Sequence, residues 1–531
     1  MGCWEVDSEH PYKYGPGGFC PIEIGDRVAD RFIVGHKLGY GGFATVWLVF
    51  DEKRRHGRYV ALKVVSADWS EDAKFESTKV VDPLRGYERD NGSPGLFVLE
   101  LERVFHTSRN GRHLCQVFPV LGPALVSLNT ADFRLYPSFV GAFAQQLAHA
   151  LDTMHALGVC HGDFTPSNIA IRLAHPLDSL TEEQIDEIFG PPQIQTLEFF
   201  FPETPSPAPE YVVVPVDLGR LPSSYLSTRL CIIDFDHAFS TRNAPTQLSH
   251  IPSQYLAPEN IFTQTNGPPA DVWALGCILY ELRYPMALFQ DFMGSSPMAT
   301  ASRMCEVLGN LPREWMAFPF DDDYPVHEPL QQGIEYTTLG DFTERNGFTL
   351  DTEVGLIRKP ERPVSTSKTA SGREWLCLPV PTFWDTAKRD EFRARNLKLI
   401  GKDDAALFTD LLRKIFDYNH QKRITARQIL AHPWLKETSQ KPSNAGSAAS
   451  SVQNLPVRRK PRSNSASLHP TSPAHRPNTT HRSSSTTAIP TREVRKEREP
   501  EKKSSGVKHS GNEKTQILGM TKKKAEGQLK K

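Results

Sequence analysis

Very little in this chain is arranged for disulfides, metal ions or membranes. The eight cysteines (Cys3, Cys20, Cys115, Cys160, Cys231, Cys277, Cys305 and Cys377) are scattered; no two form a CxxC pair, and no histidine cluster keeps metal-ligand spacing. This argues against a zinc module or a disulfide scaffold, and free thiols in a reducing compartment are expected. No apolar run approaches the roughly 20 residues that span a bilayer, so VWALGCIL (Val272 to Leu279) is expected to be a buried helix. The opening MGCWEV lacks the apolar stretch of a signal peptide. Gly2 precedes Cys3, but Val6 stands where a myristoylation pattern needs Ser or Thr. Internal repeats are absent, and so is net charge: 62 Lys and Arg meet 62 Asp and Glu.

That neutrality hides a split. Residues 437–531 hold 20 Lys and Arg against 7 Glu, net +13, which leaves 42 against 55, net −13, for residues 1–436. An acidic body with a basic tail favours basic partners, self-association or mutual screening. The tail is rich in Ser, Thr and Pro and nearly free of aromatics. It cannot bury enough apolar surface to offset the entropy of ordering, and disorder is expected from 437 onward.

The body changes period once. From Arg31 to Leu121 the runs RFIVGHKL, ATVWLVF, YVALKVV, GLFVLELERVF and HLCQVFPV alternate or are β-rich, with Gly, Asp and Asn between them. They predict a small antiparallel sheet. One helix is expected among them over Ser70 to Val81, capped by Ser70. From Tyr136 the period is helical: Phe139, Phe143, Leu147, Ala150, Leu151 and Met154 form one stripe that Gly158 stops. Further helices are expected in ADVWALGCILYELR, ASRMCEVLG, DAALFTDLLRKIF and TARQILAHPWL. The fold class is therefore α+β, with an extension (1–30), a β-rich lobe (31–121) and a helical lobe (122–436). Proline-dense residues 173–229 and irregular residues 321–402 are expected as inserts.

The chemistry-bearing residues recur in one order. LGYGGFATV joins two predicted strands, and glycines there let backbone N–H groups approach phosphates; alone it is only a glycine hairpin, and Ala44 replaces its third glycine. Lys63 sits within the apolar VALKVV, where a lysine either snorkels out or is paired, the candidate partner being Glu76. CHGDFTPSN then supplies His161, Asp163 and Asn168; IIDFDHAF supplies Asp234; QYLAPEN supplies Glu259; DVWALG supplies Asp271. The sequence G-x-G, A-x-K, E, H-x-D-x-x-x-x-N, D-F-x, A-P-E is the protein-kinase signature set.

Within that set the stretch Tyr14 to Leu435 resembles the SR-protein kinase family. YGPGGFCPIEIGD is similar to its G-G-Y-x-P-V-x-I-G-D entry, KLGYGGFATVWL to its K-L-G-W-G-x-F-S-T-V-W-L, and the DAALFTDLL and KRITARQILAHPWL runs to its C-terminal helices. Its long spacer lies where residues 173–229 stand. The resemblance implies a two-lobed kinase fold, ATP and Mg²⁺ as cofactors, and serine/threonine kinase activity of the non-specific class on Arg-Ser-rich proteins, with roles in splicing regulation. A monomer in cytoplasm and nucleus, without membrane attachment, is implied with it.

Phosphoryl transfer needs charge neutralisation and an in-line hydroxyl more than covalent help. Lys63 would hold the α- and β-phosphates, Glu76 would orient Lys63, Asn168 and Asp234 would bind the metal, and Asp163 would orient the hydroxyl. Leu38, Gly39, Tyr40, Gly41, Gly42, Phe43, Ala44, Thr45 and Val46 would enclose the nucleotide with Ala61 and the hinge residues Phe118, Pro119 and Leu121; Pro119 there needs only its carbonyl. His161 is expected to act as a strut, Glu259 to pair with Arg423, and Asp271 to brace the loop.

Three further positions depart from the pattern. Thr165 replaces a cation that touches the transferring phosphoryl group, a loss on the order of 10²-fold in rate by analogy with other electrostatic stabilisers; its hydroxyl is also placed to bond Asp163. Asp236 replaces a glycine and either repels nucleotide or joins the metal shell. Gly162 stands where many kinases keep an arginine for an activation-loop phosphate, so activity without that phosphate is expected. Asp321, Asp322, Asp323 and Glu328 are candidates for docking basic peptides, or a solvated acidic loop. Two other readings remain at this point: an ATP-binding pseudokinase scaffold, and an RNA-associated adaptor working through the basic tail.

Overall fold

The alternating, β-branched runs between Arg27 and Phe118 build one antiparallel sheet. A computed structural model describes residues 8–71, 77–91, 95–128, 133–135, 137–197, 207–246, 251–283, 287–290, 296–316, 373, 377–379 and 402–440. The strands are β1 (Arg27–Val28), β2 (Phe32–Tyr40), β3 (Ala44–Asp51), β4 (Tyr59–Val65), β5 (Glu102–Ser108) and β6 (Gly111–Phe118), in the order β1-β2-β3-β4-β6-β5. One face buries Phe32, Val34, Trp47, Val49, Val60 and Leu62, with Cys20 and Ile22 from the extension covering them. The sheet thus begins at Arg27, inside the expected extension.

Two expected elements differ. GLFVLELERVF is a strand only from Glu102, because Leu96 to Val98 turn inward and bond the backbone of Ile232 (Val98 N–H to Ile232 O, 2.9 Å; Ile232 N–H to Leu96 O, 2.8 Å). The helix expected at Ser70 is described as α1 (Ala67–Glu71) and α2 (Ser77–Asn91). Ser70 is no N-cap: its hydroxyl donates to Ser66 O at 2.7 Å and accepts Leu114 N–H at 2.8 Å, tying α1 to β6.

The larger lobe is mainly helical. A short α3 (Leu125–Leu128) and strand β7 (Phe133–Leu135) precede α4 (Pro137–Ala156), whose Phe143, Leu147, Leu151 and Met154 are fully buried. Gly158, at φ +79°, ends it as expected. Strands β8 (Val159–Cys160) and β9 (Ile169–Leu173) flank the catalytic-loop sequence. After the insert come β12 (Leu226–Ile232), paired with β9, β13 (Phe239–Ser240), paired with β8, and helices α6 (Pro258–Phe262), α7 (Pro268–Arg283), α8 (Pro297–Leu308) and α9 (Arg313–Met316). Helix α7 is buried all round; a Cβ on Gly276 would lie 2.4 Å from Ile415, so glycine is what lets α10 (Lys402–Ile415) approach. Helices α11 (Ala426–Leu430) and α12 (Pro433–Gln440) complete the lobe, α12 passing the expected tail boundary by four residues.

The segment 173–229 is not a spacer outside the core. It holds α5 (Glu182–Phe189), closed by a Thr181 capping box and by Gly190 at φ +78°, and the hairpin β10 (Ile194–Thr196) with β11 (Tyr211–Val213). Leu177, Leu180, Ile185, Phe189 and Leu221 join the main core. The segment also grips the sheet: Asp178 accepts the N–H groups of Arg58 and Tyr59 (2.8 and 3.2 Å), and Val216 N–H donates to Lys37 O at 2.8 Å. Of residues 321–402, Arg373 pairs with Asp217, and β14 (Cys377–Pro379) pairs with β7. Asp321, Asp322, Asp323 and Glu328 lie outside the described residues, as do 441–531 and residues 1–7. The six described cysteines Cys20, Cys115, Cys160, Cys231, Cys277 and Cys305 are free and buried. No helix of the described residues is long and apolar enough to cross a membrane.

Candidate active site

Strand β4 delivers Lys63 beneath the glycine-rich hairpin, opposite Val46 on one side and Gln116 on the other. Its ammonium donates to Asp234 Oδ1 at 2.9 Å and to Asp236 Oδ2 at 2.8 Å. Burial pushes the Lys63 pKa down, but Asp234 and Asp236 outweigh it and the net shift is upward. Burial raises Asp234 and Lys63 lowers it; the pair wins, so Asp234 is held below the usual carboxylate range. Asp234 itself adopts φ 60°, ψ 71°, an uncommon conformation for a non-glycine residue and one that clusters at functional sites. Phe235 beside it turns inward onto His161 (5.1 Å between ring centroids) and Phe97 (6.0 Å). The expected partner of Lys63, Glu76, lies outside the described residues.

The second half of the site is the loop between β8 and β9. Asn168 Nδ2 donates to Asp163 O at 2.9 Å and to Asp163 Oδ2 at 2.8 Å, so the amide fixes the carboxylate as well as offering its own oxygen. Asp163 Oδ1 is buried without a hydrogen-bond partner among the described residues. Burial lifts the Asp163 pKa above the ordinary range, the nearby Asp234 charge adding to it and His161 and Asn168 opposing. His161 is fully buried and works as the expected strut: Nε2 donates to Ile233 O at 3.1 Å and Nδ1 accepts Asp163 N–H at 3.2 Å. Beneath it Asp271 accepts the N–H groups of His161 (2.9 Å) and Gly162 (3.2 Å) and pairs with His155 at 3.0 Å. Glu259 and Arg423 form the expected buried bidentate pair, 2.6 and 2.8 Å.

Two departures acquire reasons here. Gly162 has φ +77°, and a Cβ on it would meet His237 O at 2.4 Å. The missing arginine thus follows from the backbone path as well as from the sequence. Thr165 is buried ahead of the turn Pro166–Asn168, but no hydrogen bond joins it to Asp163 among the described residues; Asn168 takes that place.

The hairpin and the hinge complete the candidate site. Leu38, Gly39 and Tyr40 end β2, while Ala44, Thr45 and Val46 open β3, with Gly41, Gly42 and Phe43 as the turn closed by Gly41 N–H to Ala44 O at 2.8 Å. A Cβ on Gly39, Gly41 or Gly42 would touch nothing within 4 Å. Packing among the described residues therefore does not demand these glycines. Ala61 pairs with Phe118 across β4 and β6, and Phe118 and Leu121 pack with Val98, Ala170 and Cys231 below the hinge at Pro119. The carboxylate of Asp234 and the amide of Asn168 are hard oxygen donors suited to Mg²⁺.

Sequence reasoning missed several contributors. His155 as the third group on Asp271, Asp236 as a direct partner of Lys63, and the grip of Lys13 on Gly42 O at 2.9 Å are of this kind. Each links residues with no fixed spacing between them, so no motif marks them.

Known proteins resemble this chain over part or most of its length. Residues 224–435 match the protein kinase domain family. The serine/threonine-protein kinase SRPK of Physarum polycephalum is 26% identical over 462 residues, covering 82% of this chain and 92% of that protein. Protein kinase dsk1 of Schizosaccharomyces pombe is 37% identical over 173 residues, 32% of this chain and 31% of that one. SRSF protein kinase 3 of Mus musculus is 32% identical over 175 residues, again 32% of this chain and 31% of that one. Both of these more identical relatives are thus matched over less than a third of their own length.

Proposed function

We propose that this chain is a member of the SR-protein kinase family with the two-lobed protein-kinase fold, an ATP- and Mg²⁺-dependent kinase that phosphorylates Ser or Thr in basic, Arg-Ser-rich proteins. It is a serine/threonine protein kinase by its relatives; cofactors, substrate and site roles are the proposal. The carrying observation is Asp163, one carboxylate oxygen pinned by Asn168 and the other without a donor among the described residues, close to the Lys63 and Asp234 pair. A buried acceptor left unmet costs about 1–3 kcal/mol, which a donor arriving from outside removes.

When bound, Mg²⁺ supplies charge neutralisation at the triphosphate. Asp234 and Asn168 would hold it. Lys63 exchanges its carboxylate partners for phosphate oxygens, and the glycine-rich turn offers backbone N–H groups. Asp163 accepts a hydrogen bond from the substrate hydroxyl and aims its oxygen. Thr165 offers no cation to the transferring group, so transfer is slower by on the order of 10²-fold than with one. With Gly162 in place of arginine, activity does not depend on a loop phosphate; phosphatase treatment that abolished it would refute this. Net charge of −13 over residues 1–436 draws basic substrates by Coulomb attraction.

Radiolabelled phosphoryl transfer to an Arg-Ser peptide tests the reading, with Asp163→Ala as control. Transfer by the wild type and none by the variant is expected. Nucleotide binding with no transfer by either would favour the pseudokinase scaffold, for which Asp236 on Lys63 is the supporting contact.

A further inference from the structure

The extension is joined to the glycine-rich hairpin at two points, the strand that leads into it and its turn. Glu9 is 1% exposed and Lys37, the β2 residue just before Leu38 and Gly39, is 0% exposed; the two form a buried ion pair. Glu9 Oε1 accepts Tyr14 Oη at 2.5 Å and Oε2 accepts Ser8 Oγ at 2.8 Å, while Ser8 Oγ also reaches Val213 O of β11 at 3.1 Å. The Lys37 ammonium lies over the Trp47 ring at 5.3 Å, across the hairpin on β3. Burial holds Lys37 below the ordinary lysine pKa against the opposing pull of Glu9. At the turn, exposed Lys13 donates to the carbonyl of Gly42 at 2.9 Å. Between these contacts, Phe19 and Tyr14 pack on Ala208 and Val212, so the segment is wedged between the insert and the sheet.

These contacts differ in kind. A buried pair that loses one member leaves an uncompensated charge and does not open casually. A single exposed lysine bond opens and closes readily. We infer that residues 8–19 are a strap that sets the glycine-rich loop for nucleotide, with Glu9 as the fixed anchor and Lys13 as the latch. Both are positioning residues: they act through Lys37 and Gly42. The inference rests on the kinase reading for its consequence, though the strap itself is a property of the fold.

Lys13→Ala in the full chain is the first test, since Lys13 is exposed and the variant has no reason to unfold. Hydrogen exchange of the Gly39 to Phe43 amides is expected to speed up, and both the Kd for MgADP and the KM for ATP to rise about fivefold, with kcat and the peptide KM within about twofold of wild type. Lys13→Arg is expected to restore exchange and affinity. The paired replacement of Glu9 and Lys37 by Gln and Met, which leaves no buried charge, is expected to loosen the same amides further. Unchanged loop exchange in Lys13→Ala, or a kcat loss with KM unchanged, overturns the strap. Wild-type protein that binds no nucleotide would instead sink the kinase reading, while loop exchange still tests the strap.

Discussion

Glycine does two opposite jobs in this protein, and a pair of alanine substitutions separates them. Gly162 holds φ +77° with His237 O and Phe239 Cε1 at 2.4 and 3.2 Å from a notional Cβ, while Gly41 has no atom within 4 Å of one. In Gly162→Ala the left-handed backbone costs about 1–2 kcal/mol, and a clash with a backbone carbonyl, relieved only by moving the loop or the strand, adds about 1–3 kcal/mol. The sum, about 2–5 kcal/mol, is a large part of a typical domain's stability of about 5–15 kcal/mol. At about 2 °C per kcal/mol for a chain of this size, the melting temperature falls by roughly 4–10 °C. Because Gly162 N–H is one of the bonds on Asp271, kcat falls as well. Gly41→Ala behaves in reverse: its stability stays level or rises by up to about 1 kcal/mol through the unfolded state. Its new methyl stands where backbone N–H groups would meet phosphates, so MgADP binding weakens at least about tenfold. Differential scanning fluorimetry and calorimetric titration of both variants give the answer. A Gly162→Ala protein melting within about 1 °C of wild type, or a Gly41→Ala protein binding nucleotide as wild type does, would refute the reasoning.

Three further outcomes are expected. Removing one member of the buried Glu259–Arg423 pair, as in Arg423→Met, costs about 3–5 kcal/mol in urea unfolding, because the remaining carboxylate stays buried beneath α7. Burial pushes the Glu281 carboxyl up to about 7, its bond from Tyr255 (3.0 Å) opposing. A raised folded pKa means stability that is complete below the unfolded value of 4.5 and lost as pH rises through about 7. Unfolding free energy should therefore drop by on the order of 3 kcal/mol over that window, and Glu281→Gln should flatten the drop. Asp236→Gly leaves Lys63 with one carboxylate partner fewer, so its pKa falls and its acylation by an amine-reactive nucleotide analogue quickens at a given pH; an unchanged rate profile would show that Asp236 does not hold Lys63 in solution.

Much of the site was legible because its parts are motif-bound. Lys63, Asp163, Asn168 and Asp234 stand at spacings that phosphoryl transfer explains, and the fold brings Lys63 and Asp234 into contact across 171 residues. The periodicity of α4 and the alternation of β2 to β4 were equally readable. The part the insert takes in the core was not legible, because proline density and loop composition hide Leu177, Ile185, Phe189 and Leu221, which are spaced for no single helix or strand yet all reach the core. The Thr165 to Asp163 bond was a fair chemical expectation, but Asn168 competes for the same carboxylate and wins through the geometry of the turn.

What the amino acids determined unaided was the chemistry on offer: which side chains can carry charge to a phosphate, which backbone positions tolerate close approach, and which stretches have the period of a strand or of a helix. Those are properties of a few neighbouring residues, set by sterics and by burial period. Tertiary structure decided the partnerships. That Lys63 is shared between two aspartates, that Glu9 reaches Lys37, and that Gly162 admits no side chain all depend on where distant backbone comes to rest. Contact and hydrogen-bond energies fall off within ångströms and charge interactions within a screening length of about 10 Å, whatever the separation along the chain.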